Sequence, residues 1–192
     1  LKKESFSNSI ESRKFFYNIE LHGLKQYNEK PVFYIFKGID FSDNVELRIK
    51  NANVIFQDCT FNKCVNVRGS SMVTFWDCLF KFGVDIVGAV DVKFEHNTYT
   101  PDRMASEVFL NVYNAKKLTF LNDSFNCRSK NFPEYSSRFG FEINAEEVNV
   151  IDSKLDANNH DAYIYAKRML IKESLLNVDE LNIKADCLKF ED

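Results

Sequence analysis

Acidic residues recur along this chain at intervals that would bring them side by side. Asp58, Asp77, Asp152, Glu173 and Asp192 occupy one position of a repeating pattern, and Gly38, His96 and Asn122 occupy the same position in its other copies. Carboxylates in a row beside a histidine are what general acid–base chemistry or a calcium ion would use. Asp and Asn also bond nearby backbone amides at tight corners, and a repeat places its corners in columns without any chemistry. The corner role is the stronger reading, and Asp58 next to Asp77 is the best place in the column for a cation.

A second set of candidates lies where the pattern is interrupted. Residues 100–107 include Arg103, residues 126–140 include Arg128, Lys130, Phe132, Tyr135 and Arg138, and residues 156–161 include His160 and Asp161. The cations suit an acidic or anionic partner, and the aromatics suit a sugar ring or a hydrophobic anchor. His160 with Asp161 has the composition of an acid–base pair, but exposed loops are polar in any case. Trp76, the only tryptophan, falls at an outward position of the pattern and joins the binding candidates. No residue is assigned a catalytic or metal-binding role, and no cofactor is expected.

The five cysteines, Cys59, Cys64, Cys78, Cys127 and Cys187, contain no CxxC pair and are odd in number. That disfavours a disulfide framework and a zinc site, and it favours a reducing compartment. Cys59 and Cys78 follow the acidic position and are expected to behave as small buried hydrophobes. The net charge of -3 and pI of about 5.7 disfavour nucleic acid and anionic membrane as partners. No run of about eighteen apolar residues is present to span a bilayer.

The elements that must position these residues come from one template: apolar, any, apolar, any, polar turn residue, small residue, any, apolar. It starts at Tyr34, Val54, Val73, Val92, Leu118, Val148 and Met169, and in truncated form at Leu188, with spacings of 20, 19, 19, 26, 30, 21 and 19 residues. A second short alternating stretch precedes most copies, as Val65 and Val67 precede Val73, or Leu181 and Ile183 precede Leu188. Period-two alternation of this kind marks strands. Three short strands per unit, closed by corners, describe a triangular coil, and stacked coils turn Phe36, Phe56, Phe75, Phe94 and Phe120 into one interior column. Such a ladder explains why a chain of this length carries an excess of aromatic residues, nineteen of them phenylalanine. A leucine-rich or helical solenoid would space its inward residues three and four apart.

The predicted fold is therefore all-β: a single-stranded parallel β-helix, or β-solenoid, of about eight coils of 19–21 residues. Residues 32–192 resemble the right-handed, pectate-lyase-like parallel β-helices in coil length and in their ladders. Cys59 with Phe61, and Ser153 with Leu155, are similar to one pentapeptide-repeat unit per coil. The pectate-lyase resemblance implies acidic clusters working with an arginine in register, and no arginine follows Asp58 or Asp77 in that way.

Residues 1–31 are expected to form an N-terminal cap. A short helix is predicted within residues 5–27, with Ile10, Phe15, Phe16, Ile19 and Leu24 near one face and Ser7 or Ser9 as its cap. The last template stops mid-coil at Asp192, so the native chain is expected to continue, or another domain to cover that end.

The functional expectation is a non-catalytic binding or scaffold domain of a larger bacterial, effector-type protein. Its partner would be another protein, or alternatively a saccharide, held by the corner loops. The alternative is a carbohydrate-active lyase or hydrolase using acids such as Asp77, His96 and Asp156. A third possibility is a module that self-assembles end to end.

Overall fold

The computed structural model describes residues 18–22, 32–42, 44–50, 52–70, 72–100, 108–126, 139–157 and 160–192. Among these, every helix-or-strand element is a strand. In chain order they are β1 (Asn18–His22), β2 (Val32–Lys37), β3 (Asp40–Phe41), β4 (Val45–Lys50), β5 (Ala52–Gln57), β6 (Thr60–Phe61) and β7 (Val65–Arg68). There follow β8 (Met72–Trp76), β9 (Leu79–Phe80), β10 (Val84–Val87), β11 (Asp91–Glu95), β12 (Thr98–Tyr99) and β13 (Val108–Leu121). The last six are β14 (Ser124–Asn126), β15 (Phe139–Ile151), β16 (Lys154–Asp156), β17 (Asp161–Lys172), β18 (Leu175–Asn177) and β19 (Leu181–Glu191).

All pairings are parallel and form two sheets. The small one runs β3-β6-β9-β12-β14-β16-β18. The large one has two arms, β1-β4-β7-β10 and β2-β5-β8-β11, which meet at β13 and continue together through β15, β17 and β19. The chain thus visits three faces in turn and returns one rung further along, a solenoid-like, curled parallel architecture compatible with a β-helix. In the rungs of β4–β5, β7–β8 and β10–β11 the first two faces are separate strands, set only a few residues apart. From β13 onward they are one long bent strand, which the template did not anticipate.

The predicted phenylalanine column is present in full register. Phe36, Phe56, Phe75, Phe94, Phe120, Val150, Ile171 and Phe190 are successive Cα partners. Rings stack along the column, with Phe56–Phe75 at 5.1 Å and Phe75–Phe94 at 5.2 Å between centroids. A second stacked column rises from the small sheet: Phe41–Phe61 at 4.9 Å, Phe61–Phe80 at 5.0 Å and Phe80–Tyr99 at 4.8 Å. The columns meet edge to face, as in Phe75–Phe80 at 5.2 Å and 71°, a geometry that the ring quadrupoles favour. The aromatic excess therefore fills two ladders, and branched residues such as Leu47, Val67, Ile86 and Val112 close the core from the first face.

The N-terminal helix is corrected over residues 18–22. These form β1, paired in parallel with β4 through Ile19↔Leu47 and Leu21↔Ile49. Ile19 and Leu21 alternate at period two, and a neighbouring strand with free backbone groups rewards that pattern more than an isolated helical turn would. Ile10, Phe15, Phe16 and Leu24 lie outside the described residues.

The acidic column consists of corners. Gly38, Asp58, Asp77, His96, Asn122, Asp152 and Glu173 all have left-handed backbone, with φ between 46° and 64°. Each donates its amide hydrogen to the carbonyl of the residue one rung on that precedes the next corner, as Asp58 does to Trp76 (3.0 Å) and Asp77 to Glu95 (3.0 Å). Gly, Asn, Asp and His are the residues that tolerate this conformation best, and β-branched residues tolerate it least. We expect Asp77→Val to lower the unfolding free energy by about 1–3 kcal/mol relative to Asp77→Asn, measured by urea denaturation; equal midpoints would remove the backbone explanation.

Candidate functional site

The corner carboxylates do not converge. Asp58, Asp77, Asp152 and Glu173 are exposed along one edge, about one rung (roughly 4.8 Å) apart where they are neighbours. His96 Nδ1 lies 3.7 Å from Asp77 Oδ1, both half out in solvent. Asp156 is at the other end of the third face, fully buried, accepting from Asn177 Nδ2 at 2.9 Å with Lys154 Nζ 3.7 Å away. Asp77, His96 and Asp156 are therefore not brought together. Among the described residues no three His, Cys, Asp or Glu side chains are grouped to hold a metal ion.

Polar groups converge instead just inside that edge. Cys59, Cys78, Asn97, Asp123, Ser153 and Ser174 follow the corner residues and turn inward as a ladder. The amides of Cys78, Asn97, Asp123 and Ser153 donate to the side chain one rung on: Asn97 Oδ1 (2.9 Å), Asp123 Oδ1 (2.8 Å), Ser153 Oγ (3.0 Å) and Ser174 Oγ (3.0 Å). The side chains hand hydrogens back to main-chain carbonyls. Cys59 and Cys78 donate to Gln57 (3.3 Å) and Trp76 (3.4 Å), Asn97 to Phe75 (3.0 Å), Ser153 to Ile151 (2.7 Å) and Ser174 to Lys172 (2.6 Å). The two cysteines are buried as expected, and the adjacent Cys59 thiol together with burial pushes the Cys78 thiol up.

Asp123 departs from expectation. A carboxylate at this position is costly to bury. The residue is 2% exposed, in register with the rest of the ladder. Burial pushes its carboxyl up to about 7, against the lowering effect of the Asn97 side chain and the Asn97 and Ser124 amides. Directly beneath the third face, the Tyr99 hydroxyl is buried with no hydrogen-bond partner among the described residues. Burial, then the Asp123 and Cys78 charges, push its ionisation well above the usual range.

The three insertions leave and re-enter the wall at one corner. β12, β14 and β16 are neighbours through Tyr99↔Phe125↔Leu155, and β13, β15 and β17 are neighbours through Val108↔Phe139↔Asp161. Arg103, Arg128, Lys130, Phe132, Tyr135 and Arg138 lie outside the described residues. His160 is half-buried, its ring edge-on to Phe109 at 5.7 Å, and its carbonyl accepts the Asp179 amide at 3.1 Å. Gly140 is packed beneath it, since a Cβ there would lie 2.5 Å from Ala157 Cβ and 3.3 Å from His160 Cβ. Trp76 is 39% exposed at the end of the second face, between Gln57 and Glu95. It is separated from His160 by the third face, so these two candidates do not share a site.

A groove of about 480 Å³ runs along the bend between the first two faces. Ala115, Ala145, Ala166 and Ala185 are in register there. Small side chains at a bend that no turn fills leave a trough, flanked by Asn114, Asn144, Tyr165 and Lys184 on one side and Lys116, Glu146, Lys167 and Asp186 on the other. Tyr165, and Tyr113 two rungs back in its column beyond Asn144, are 44% and 48% exposed, and Lys167 Nζ lies 3.5 Å from Glu146 Oε2. Just beyond the trough, Asn149, with Lys117 and Arg168, holds the Glu147 carboxyl below the usual range. None of these residues was a sequence candidate; the alanine column, and the loss of Gly69- and Gly88-type turns after β11, were the available signals. Comparison with protein-family models, curated proteins and solved structures finds no match.

Proposed function

We propose that the chain is a right-handed parallel β-helix of about eight coils that acts as a non-catalytic binding or scaffold module for a protein or saccharide partner. The observation that carries this reading is that the strands flanking the three insertions are neighbours, so that the insertions depart from one corner on consecutive rungs. A rigid wall that presents loops side by side is the usual way a repeat protein builds a recognition surface. The acids that a catalytic reading would need serve as left-handed corners and ladder rungs instead. The trough beside Tyr165 adds a second recessed surface, with an aromatic face and the Asn114 and Asn144 amides of the kind that orient polar ligands.

Two measurements test the proposal. Purified chain incubated with polygalacturonate and neutral polysaccharides should release no new reducing ends, and any depolymerisation abolished by an Asp or His substitution would replace this reading with an enzymatic one. Replacing residues 127–138 with a short Gly/Ser linker should change unfolding free energy by less than about 1 kcal/mol, because loop-closure entropy varies slowly with length. Collapse of the unfolding transition in that variant would make the insertion a structural brace and not a recognition loop.

A further inference from the structure

Every inward polar rung from Cys59 to Ser174 gives a side-chain hydrogen to a main-chain carbonyl, except Asp123. An ionised carboxylate has no hydrogen to give; a carboxylic acid has one. Its Oδ1 accepts the Asn97 amide at 2.8 Å and its Oδ2 meets Asn97 Nδ2 at 3.5 Å, with the Ser124 amide as a further donor to the carboxyl. By the repeat, the carbonyls equivalent to those used on the other rungs are Phe94 and Leu121.

Among the described residues no cation compensates a charge at this position. Asp123 has no ion-pair partner among the described residues. The titratable groups facing it are Tyr99 from β12 and Cys78 from the corner two rungs back, both held neutral by their surroundings. Ser124, Asn97 and Ser153 complete the contact shell without charge. His96, Asp152 and Lys154 are exposed on the outer side of the same edge.

We propose that Asp123 is a proton-operated latch: the neutral acid completes the ladder, and loss of its proton to solvent favours opening of the corner that holds β14. The sign follows from linkage. The closed form keeps the proton to about pH 7 and the open form only within the ordinary aspartate range, so closure is strongest at low pH and weakens as pH rises toward 7.

Hydrogen exchange of the free protein, corrected for intrinsic rates, tests this at the amides of Asn97, Asp123 and Ser153. In the wild type their opening constants should rise by up to about tenfold per pH unit between roughly pH 5 and 7 and level off above. Asp123→Asn, which keeps a donor, and Asp123→Ser, which copies Ser153 and Ser174, should each flatten the profile. His96→Asn, a corner-compatible change, should leave it intact. A flat wild-type profile overturns the latch, as does a slope that survives both Asp123 variants or disappears with His96→Asn.

Discussion

Truncating Phe75 to alanine is expected to lower the unfolding free energy by about 3–5 kcal/mol, whereas the same truncation of Phe190 should cost far less. Both residues belong to one column, so chemistry and register are matched. Phe75 is fully buried, stacked between Phe56 and Phe94 and edge-on to Phe61 and Phe80. Phe190 is 67% exposed at the last rung. The cavity left at position 75 cannot easily collapse, because the rungs above and below are held by parallel ladders on both sides. In a solenoid each rung is stabilised mainly by its neighbours, so the variant should also broaden the transition or split it in two. Urea unfolding followed by tryptophan fluorescence and by circular dichroism reads both effects, since Trp76 adjoins the damaged rung. Equal losses at positions 75 and 190 would show that the column is not the core the register implies.

The second large effect is expected at Gly140. No positive φ marks this residue, so its requirement is space and not backbone freedom. A Cβ placed there would lie 2.5 Å from Ala157 Cβ, an atom one bond from the main chain that cannot rotate away. Relief demands a shift of the backbone between β16 and β17, and overpacking of that kind costs about 1–3 kcal/mol. Gly140→Ala should therefore destabilise the protein, and Gly140→Ala combined with Ala157→Gly should recover much of the loss. The double-mutant cycle should show coupling, as expected for side chains in contact; simple additivity would place the cost elsewhere. Ala at Gly38, where no atom lies within 4 Å of the added Cβ, tests backbone strain alone.

Much of this architecture was legible because a stacked repeat writes the same constraint many times. The template starts coincide with register partners from Tyr34 to Leu188, and the corner role of Asp58, Asp77 and His96 is borne out by their backbone. What escaped was information carried by single rungs. Asp123 follows no composition rule for a buried site, and its burial depends on donors supplied by Asn97 and Ser124, residues that look unremarkable alone. Ile19 fits a helical face until Leu21 is paired against Ile49 from a distant segment. The trough was hidden because its signal is alanine and a missing turn, and recessed surface arises from what side chains fail to fill. Leu121 and Ile151, neighbours in one outward column, are each part-buried and bordered by Glu95 and Lys172.

The left-handed corners have a consequence for how such a chain can change. Only the backbone of the corner residue enters the wall, through its amide, while its side chain is left in solvent. Glycine, aspartate, histidine, asparagine and glutamate all fill the position here without altering the stack. The edge is thus a strip on which evolution, or an engineer, can write a row of charges at rung spacing, provided that each residue written there tolerates the left-handed backbone.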